Sequence, residues 1–308
     1  MVGAATDGIW GLVLAGGDGT RLQPLTRRIA GAPIPKQYCR ITGDRSLLEA
    51  TLDRVAELLP AERTLVIVNR DHLPLASTHI RAVPAANVLV QPLNRDTGPG
   101  LLLSLLAIAR RAPDATVAVF PSDHWVGDDA TFVAHVARAA ALIARRPEKL
   151  ALLGIRPDRP EPGLGYIEPA RRLPREQAAF HVARFREKPD PDVAAEVVRR
   201  GGLWNSFVMV FRVARVLRLL QRVRPADVAA VGDVGATPEA LGAAYASLPP
   251  WNFSSHFLAA VPRDLVVLPV DDTPWSDWGT PEAIARTLHA IRQPLPWTDE
   301  RELAAASA

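Results

Sequence analysis

One cysteine, Cys39, is all the sequence contains, so no internal disulfide can form and a structural zinc site of several thiolates is excluded. No apolar run approaches the roughly 20 residues that a membrane-spanning helix needs. The N-terminal stretch has no basic segment ahead of its apolar residues and breaks into glycines, so it reads as the approach to a first strand and not as a signal peptide. The expected location is the cytoplasm, with no membrane partner. Charge of one sign is also scarce. Thirty-six Lys and Arg against 33 Asp and Glu leave a net charge of +3, which suits local phosphate pockets better than a surface for a polyanion. Basic blocks interleaved with aromatics, zinc-finger spacings and helix-turn-helix patterns are missing, which argues against nucleic acid as a partner. Two familiar glycine signatures are missing as well. The dinucleotide pattern G-x-G-x-x-G fails because Leu22 stands three residues after Gly19, and no G-K-[ST] follows a glycine at Walker A spacing.

What is present is an ordinary globular composition, 48% hydrophobic and 22% charged, enough over 308 residues to bury a large core. Apolar runs predict strands at 10–15, 64–68, 87–90, 116–120 and 150–153, alternating with helices at 46–59, 98–110 and 130–145. Ser46 and Glu49 form a capping-box pattern at the start of the first of these helices. Strands separated by helices imply βαβ units, hence an α/β fold with a mainly parallel sheet covered on both faces and ligand loops along one edge. The second half is less regular. Strands are predicted at 163–168, 181–187, 205–211 and 265–270. Helices are predicted at 192–200, 213–222 and 281–291, with 225–250 largely helical. Pro238 and Pro281 each suit the first turn of a helix.

The strongest local signal is Leu14-Ala15-Gly16-Gly17-Asp18-Gly19-Thr20-Arg21-Leu22. Adjacent glycines after a buried strand allow a turn with positive φ and bring backbone amides close to an oxyanion. Thr20 adds a hydroxyl, Arg21 a planar fork for phosphate oxygens, and Lys36 in Pro35-Lys36-Gln37 a second cation. A plain strand-to-helix turn explains the glycines alone; the two cations tip the reading to phosphate binding. Asp123, in Pro121-Ser122-Asp123-His124 after a strand, is either a hard-cation ligand or a cap for the next element. Asp277, in Trp275-Ser276-Asp277-Trp278-Gly279, is equally open between turn residue and ligand. Were the two carboxylates to meet, Mg²⁺ would relieve their repulsion. Gly165 and Tyr166 offer a turn beside an aromatic ring, Glu187 and Lys188 hydroxyl and phosphate contacts, and Asn205 an amide able to read hydroxyl geometry. Together they suggest a polar small-molecule cleft.

These segments, in this order, resemble the nucleoside-diphosphate-sugar pyrophosphorylase (sugar nucleotidyltransferase) superfamily, especially bacterial mannose-1-phosphate guanylyltransferases. The 14–22 string resembles the family's nucleotide loop, and Pro35-Lys36-Gln37-Tyr38 its P-K-Q-[FY] element. Asn94-Arg95-Asp96-Thr97-Gly98-Pro99 is similar to its R-N-T-A-P segment, and Pro121-Ser122-Asp123-His124 to its metal-aspartate loop. Gly165-Tyr166-Ile167, Phe185-Arg186-Glu187-Lys188-Pro189, Leu203-Trp204-Asn205-Ser206 and the Trp275–Gly279 string follow in the family's order, so the likeness runs across nearly all of 10–290.

The resemblance implies a Rossmann-like nucleotidyltransferase sandwich, with a mainly parallel mixed sheet flanked by helices and a smaller sugar-binding part. Residues 1–290 would be one domain, with a nucleotide-binding part at about 1–150 and a sugar-phosphate-binding part at about 151–290; 291–308 would be a tail. The implied reaction joins a nucleoside triphosphate, GTP in the leading reading, to a hexose 1-phosphate, mannose 1-phosphate in that reading. Thymidylyl or uridylyl transfer, or an inactive nucleotide-sugar-binding regulator, are the alternatives. Arg21, Lys36, Asp123, Lys188 and Asp277 would be catalytic, with Mg²⁺ on Asp123 and Asp277. The nucleotide would lie against Leu14, Gly16, Gly17, Gly19, Thr20, Arg21, Lys36, Gln91, Asn94, Arg95, Thr97 and Gly98. Gly165, Tyr166, Glu187, Lys188 and Asn205 would take the sugar phosphate, and a homodimer is a candidate assembly. Gln23, Thr26, Asp96, Gly98 and Phe207 depart from the residues usual in the guanylyltransferases, and several lie near expected base and sugar contacts.

Overall fold

A computed structural model describes residues 8–176, 178–232 and 237–297. Its strands, in chain order, are β1 (Ile9–Ala15), β2 (Thr64–Asn69), β3 (Val88–Gln91), β4 (Thr116–Pro121), β5 (Trp125–Val126), β6 (Leu150–Ile155), β7 (Gly165–Arg172), β8 (Phe180–Glu187), β9 (Leu203–Arg212), β10 (Leu265–Val270) and β11 (Trp275–Ser276). Nine of them form one sheet in the order β3-β2-β1-β4-β9-β6-β10-β8-β7, and β5 pairs with β11 in a separate two-stranded ribbon. Parallel pairing runs from β3 to β4 and recurs between β6 and β10. β9 runs antiparallel to both its neighbours, β4 and β6, and β7 and β8 are antiparallel to each other. The parallel half follows from helical crossovers. The antiparallel half follows because β7 and β8 are joined by a short connection that needs no crossover.

β9 lies between β4 and β6, so the two halves of the chain share one continuous sheet. Two large apolar clusters pack on it. One contains Val13, Val66, Phe120 and Val136, and the other Leu12, Leu65, Leu105 and Val119, as expected of neighbouring residues that point to opposite faces of a strand. The helix Leu47–Ala56 begins with the full capping box of Ser46 and Glu49. Pro238 and Pro281 both open helices, where a missing amide hydrogen costs little. The short helix Gln23–Ala30 has no counterpart among the predicted elements.

The parallel strands bring their C-terminal ends, Ala15, Asn69, Gln91 and Pro121, to one edge of the sheet. The antiparallel β9 begins at that edge, and β7 bends to pair with its start, Tyr166 opposite Trp204. Gly165 and Glu187 are thereby carried to the same edge, facing each other across β7 and β8. A third apolar cluster lies beneath the glycine-rich turn, where Leu22 and Leu25 meet Trp278, Ile284 and Leu288. Leu295 and Trp297 pack against it, and Arg28 donates to the Trp297 carbonyl at 2.7 Å. Of the expected tail, Leu295 and Trp297 are therefore packed while the residues around them are exposed, and 298–308 lie outside the described residues. Among the described residues no helix is long and apolar enough to cross a membrane.

Candidate active site

A cavity of about 630 Å³ opens along the edge where these strand ends gather. Its wall contains Leu14, Gly16, Gly17 and Arg21 from the first turn, and Gln91, Asn94 and Thr97 from the loop after β3. It also contains Lys36, Asp123 and Asp277, and Gly165, Glu187, Lys188 and Asn205 from the second half. Segments more than 250 residues apart in sequence thus share one space.

The glycine-rich turn is shaped by its neighbours. Gly19 has φ +59, and a Cβ there would sit 3.1 Å from the Lys36 backbone nitrogen, so the following segment packs directly against it. A Cβ on Gly16 would lie 2.5 Å from Gln91 Nε2, and one on Gly100 would lie 2.8 Å from Gln91 Oε1. The Gln91 side chain is therefore clamped between two glycines at the floor of the cavity. Gln37 donates to the Gly17 carbonyl at 2.7 Å, and Tyr38 to the Ala15 carbonyl at 3.0 Å, so the P-K-Q-Y element braces the turn from behind. Arg21 is exposed on the cavity wall, and among the described residues no hydrogen bond or ion pair engages its guanidinium. It is free to meet a phosphate.

Lys36 is placed differently. Its ammonium donates to the Asp277 carbonyl and, at 3.0 Å, to the Trp278 carbonyl, and lies 3.3 Å from Asp123 Oδ2. Buried at 5% exposure, it ties the two aspartate loops together. The β5–β11 ribbon, Trp275 opposite Val126 and Ser276 opposite Trp125, is what brings those loops side by side. Trp125 also stacks on Trp278, with ring centroids 6.2 Å apart. Burial alone would raise the Asp123 carboxyl, but the Lys36 ammonium and the His124 ring beside it outweigh burial and hold it below the usual carboxylate range. Burial pushes the His124 ring below the usual imidazole range, against the pull of Asp123. Asp277 keeps its orientation by accepting the Gly279 N–H at 3.1 Å on Oδ1.

The Asp123 and Asp277 carboxylates, both on the cavity wall, are hard oxygen donors of the kind that suits Mg²⁺. Among the described residues no group of three His, Cys, Asp or Glu side chains could hold a metal. An ion here would complete its shell from water and substrate phosphates, as Mg²⁺ commonly does.

On the other side, burial raises the Glu187 carboxyl above the usual range, against the lowering pull of Lys188, whose Nζ is 4.0 Å away. A Cβ on Gly165 would sit 2.8 Å from Glu187 Oε2, so glycine leaves the space that this carboxylate occupies. Lys188 and Phe207 both line the cavity with positive φ, +45 and +58. Glycine, usual in the resembling family at 207, would adopt that conformation without strain. In this chain the Asn205 side chain accepts the Phe207 N–H at 3.1 Å and holds the turn.

Several expected site residues lie elsewhere. Tyr166 is fully buried, and its hydroxyl accepts from Trp204 Nε1 at 3.1 Å and from the Glu161 N–H at 2.8 Å. Its side chain is a packing element and not a sugar contact. Arg95 points away, donating to the Tyr245 and Ala246 carbonyls. Gly98 packs under Trp251, whose ring a Cβ would meet at 2.2 Å; the glycine at this family-variant position makes room for the tryptophan. Gly19 and Thr20 shape the turn without lining the cavity. Gln23 and Thr26 also serve the turn, bonding the Asp18 and Ile34 carbonyls.

Conversely, Asp18, Asn252 and Ser254 line the cavity and were not among the residues expected there. Asp18 is held by Asn69 at 3.3 Å and Asn94 at 2.8 Å, with His72 at 3.5 Å. Asn252 was legible as a helix cap, since Asn before Phe-Ser-Ser is a cap pattern, and its side chain accepts the Ser254 and Ser255 N–H groups. Its place on the cavity wall depends on pairing between distant segments, which sequence spacing does not report.

A turn of glycines with a free arginine, paired acidic loops and a polar acceptor wall together define a nucleotide- and phosphate-handling α/β protein. The chain belongs to the nucleotidyl transferase family, whose model matches residues 10–293. It is 36% identical over 218 residues to the xanthan biosynthesis protein XanB of Xanthomonas campestris pv. campestris (strain B100), covering 70% of this chain and 44% of that protein. It is 35% identical over 224 residues to the mannose-1-phosphate guanylyltransferase of Escherichia coli (strain K12), covering 70% of this chain and 45% of that one. The chain thus spans about half the length of these curated relatives. Among solved structures, the mannose-1-phosphate geranyltransferase from Thermus thermophilus superposes with a TM-score of 0.80 at 33% identity, covering 93% of this chain and 80% of the other.

Proposed function

We propose that this protein transfers a nucleoside monophosphate from a nucleoside triphosphate to a sugar 1-phosphate, releasing pyrophosphate, with GTP and mannose 1-phosphate as its substrates. The observation that carries the reading is the meeting, in one cavity, of the glycine turn with Arg21, the Asp123–Lys36–Asp277 cluster, and Glu187, Lys188 and Asn205. The choice of GTP and mannose is supported by the name of the Escherichia coli relative, and that of mannose also by the Thermus thermophilus structure. A cytoplasmic location, where nucleoside triphosphates are made, is part of the same proposal.

In this reading an oxygen of the sugar phosphate attacks the α-phosphorus. The new P–O bond forms as the bond to the bridging oxygen breaks, and pyrophosphate leaves with the electron pair. The attacking phosphate is already ionised near neutral pH, so no side chain need act as a strong base. The residues supply alignment and charge. Arg21 and the turn hold the triphosphate, Lys188 draws the sugar phosphate in, and Glu187 with Asn205 orients the ring hydroxyls. Asp123 and Asp277 would hold Mg²⁺, which when bound neutralises phosphate charge as a Lewis acid. Lys36 ties the Asp123 carboxylate to the backbone of the Asp277 loop.

The test is a matrix of nucleoside triphosphates against hexose 1-phosphates, read by pyrophosphate release with Mg²⁺ and again with chelator. GTP with mannose 1-phosphate should give the highest kcat/KM, and Asp123→Asn and Asp277→Asn should each lower it strongly in folded protein. Preference for thymidine or uridine triphosphate would keep the chemistry and overturn the substrates. Release with no pair, despite measurable nucleotide binding, would make the protein a binding regulator instead.

A further inference from the structure

The loop after β3 is sewn to the segment 245–254 by contacts that cross about 150 residues of sequence. The Gly98 N–H donates to the Trp251 carbonyl at 3.0 Å, the Trp251 N–H to the Arg95 carbonyl at 3.2 Å, and the Phe253 N–H to Thr97 Oγ1 at 2.9 Å. Asp96 sits at the centre of this seam. Its Oδ1 accepts the Thr97 N–H at 2.6 Å and Asn252 Nδ2 at 3.3 Å, and its own N–H donates to Asn94 Oδ1 at 2.9 Å.

Its backbone, φ +66 and ψ −173, lies in a region that is essentially reserved for glycine. Capping does not require this. An ordinary N-cap residue sits in the extended region and bonds the second or third N–H of its helix, whereas Asp96 reaches only the first. Strain of this kind persists where the surroundings impose it, and it clusters at ligand clamps. Here it leaves Asp96 exposed on the cavity wall, and among the described residues no protein donor engages its Oδ2. Asp96 is also close enough to Glu187 for its charge to oppose ionisation there, with Ser254 beside them. Two carboxylates facing one space accept hydrogen bonds and cannot donate. A ring bearing several hydroxyl groups would supply the donors that both carboxylates can accept.

We infer that Asp96 is a specificity-determining residue that accepts hydroxyl hydrogen bonds from the hexose of the sugar 1-phosphate, from the wall opposite Glu187. The inference rests on the proposed reaction. Its chemistry would equally suit ribose hydroxyls of the nucleotide, and the two sources separate in KM.

Asp96→Gly removes the carboxylate and relaxes the backbone. It should raise the KM for mannose 1-phosphate about tenfold, the equivalent of one charge-assisted hydrogen bond, and move the KM for GTP by less than about twofold. Its Tm should stay level or rise, whereas a purely structural Asp96 would lose Tm without this split. Should the glycine variant fold poorly, Asp96→Asn keeps the cap and removes the charge, and should show the same split at about threefold or more. An unchanged KM for mannose 1-phosphate in both variants overturns the inference, as does a rise carried by GTP and reduced when 2′-deoxy-GTP replaces it. Failure of the wild type with every substrate pair overturns the proposed function and this inference with it. An active wild type with indifferent variants overturns the inference alone.

Discussion

Replacing Lys36 by methionine keeps the length of the side chain and removes its charge and its three hydrogens. The structure sets what is then lost. Two backbone carbonyls, of Asp277 and Trp278, lose their donor, and Asp123 loses the cation 3.3 Å away. A buried acceptor left without a partner costs about 1–3 kcal/mol, and breaking a buried ion pair about 3–5 kcal/mol. The upper figures do not apply in full. The Asp123 side chain is 39% exposed, so water takes over part of its pairing, and the methionine buries apolar surface in return. A net loss of about 2–4 kcal/mol is expected, roughly 3–6 °C in Tm for a chain of this size.

The pH profile adds a second reading. In the wild type the Asp123 carboxyl is held below its ordinary value, so the stability it contributes is present above that value and is lost as pH falls through the lowered one. Without Lys36 the burial that opposes ionisation is met chiefly by His124, so the stability Asp123 contributes above its ordinary value shrinks, the acid limb of the variant should be shallower, and the two proteins should converge as pH falls. Urea unfolding between pH 3 and pH 8, run on both proteins beside pyrophosphate-release kinetics, measures all three effects. A methionine variant within about 0.5 kcal/mol of wild type, with an acid limb as steep as that of wild type and undiminished kcat, would refute the idea that Lys36 joins the two aspartate loops.

Two further outcomes follow from packing and burial. Gly98→Ala drives a methyl group into the Trp251 ring and should destabilise by about 1–3 kcal/mol in urea; the Gly98→Ala, Trp251→Leu double variant should lose clearly less than the sum of the singles, and strict additivity would count against the contact. Burial pushes the Cys39 thiol up to about 11 from its ordinary 9.0, so the unfolded chain ionises first and stability, intact below pH 9, falls as pH rises toward 11. The decline should be larger for wild type than for Cys39→Ala, by about 3 kcal/mol at most, and parallel curves would contradict it.

The strands and helices of the first half were legible because each carries its own signal. The apolar run before Gly16 and the Ser46–Glu49 capping box need no distant partner to be read. The helix Gln23–Ala30 was not legible, since half of its eight residues are polar and its apolar ones are seated by the helix opened by Pro281, which packs on them. The β5–β11 ribbon was invisible for a different reason. Two residues a side are too short for any periodicity, yet this pairing sets Asp123 beside Asp277. The identity of the glycine turn, both aspartates and Lys188 could be read as chemistry, but the direction of a side chain could not. Tyr166 looked like a cavity aromatic and is held inward by Trp204, and Lys36 looked like a free cation and is committed to two carbonyls. Gly98 reads as a loosened alanine until Trp251 is seen above it.

The anchoring of Lys36 reaches across 241 residues, and the cluster beneath the glycine turn is closed by Trp278, Ile284 and Leu288. During synthesis the turn therefore leaves the ribosome long before the residues that fasten it. A nascent chain halted after β9 would hold the glycines and Asp123 without the Asp277 loop beside them, and the cavity would lack that part of its wall. On the proposed reading, triphosphate binding and turnover would become possible only once the residues around 277–288 had emerged.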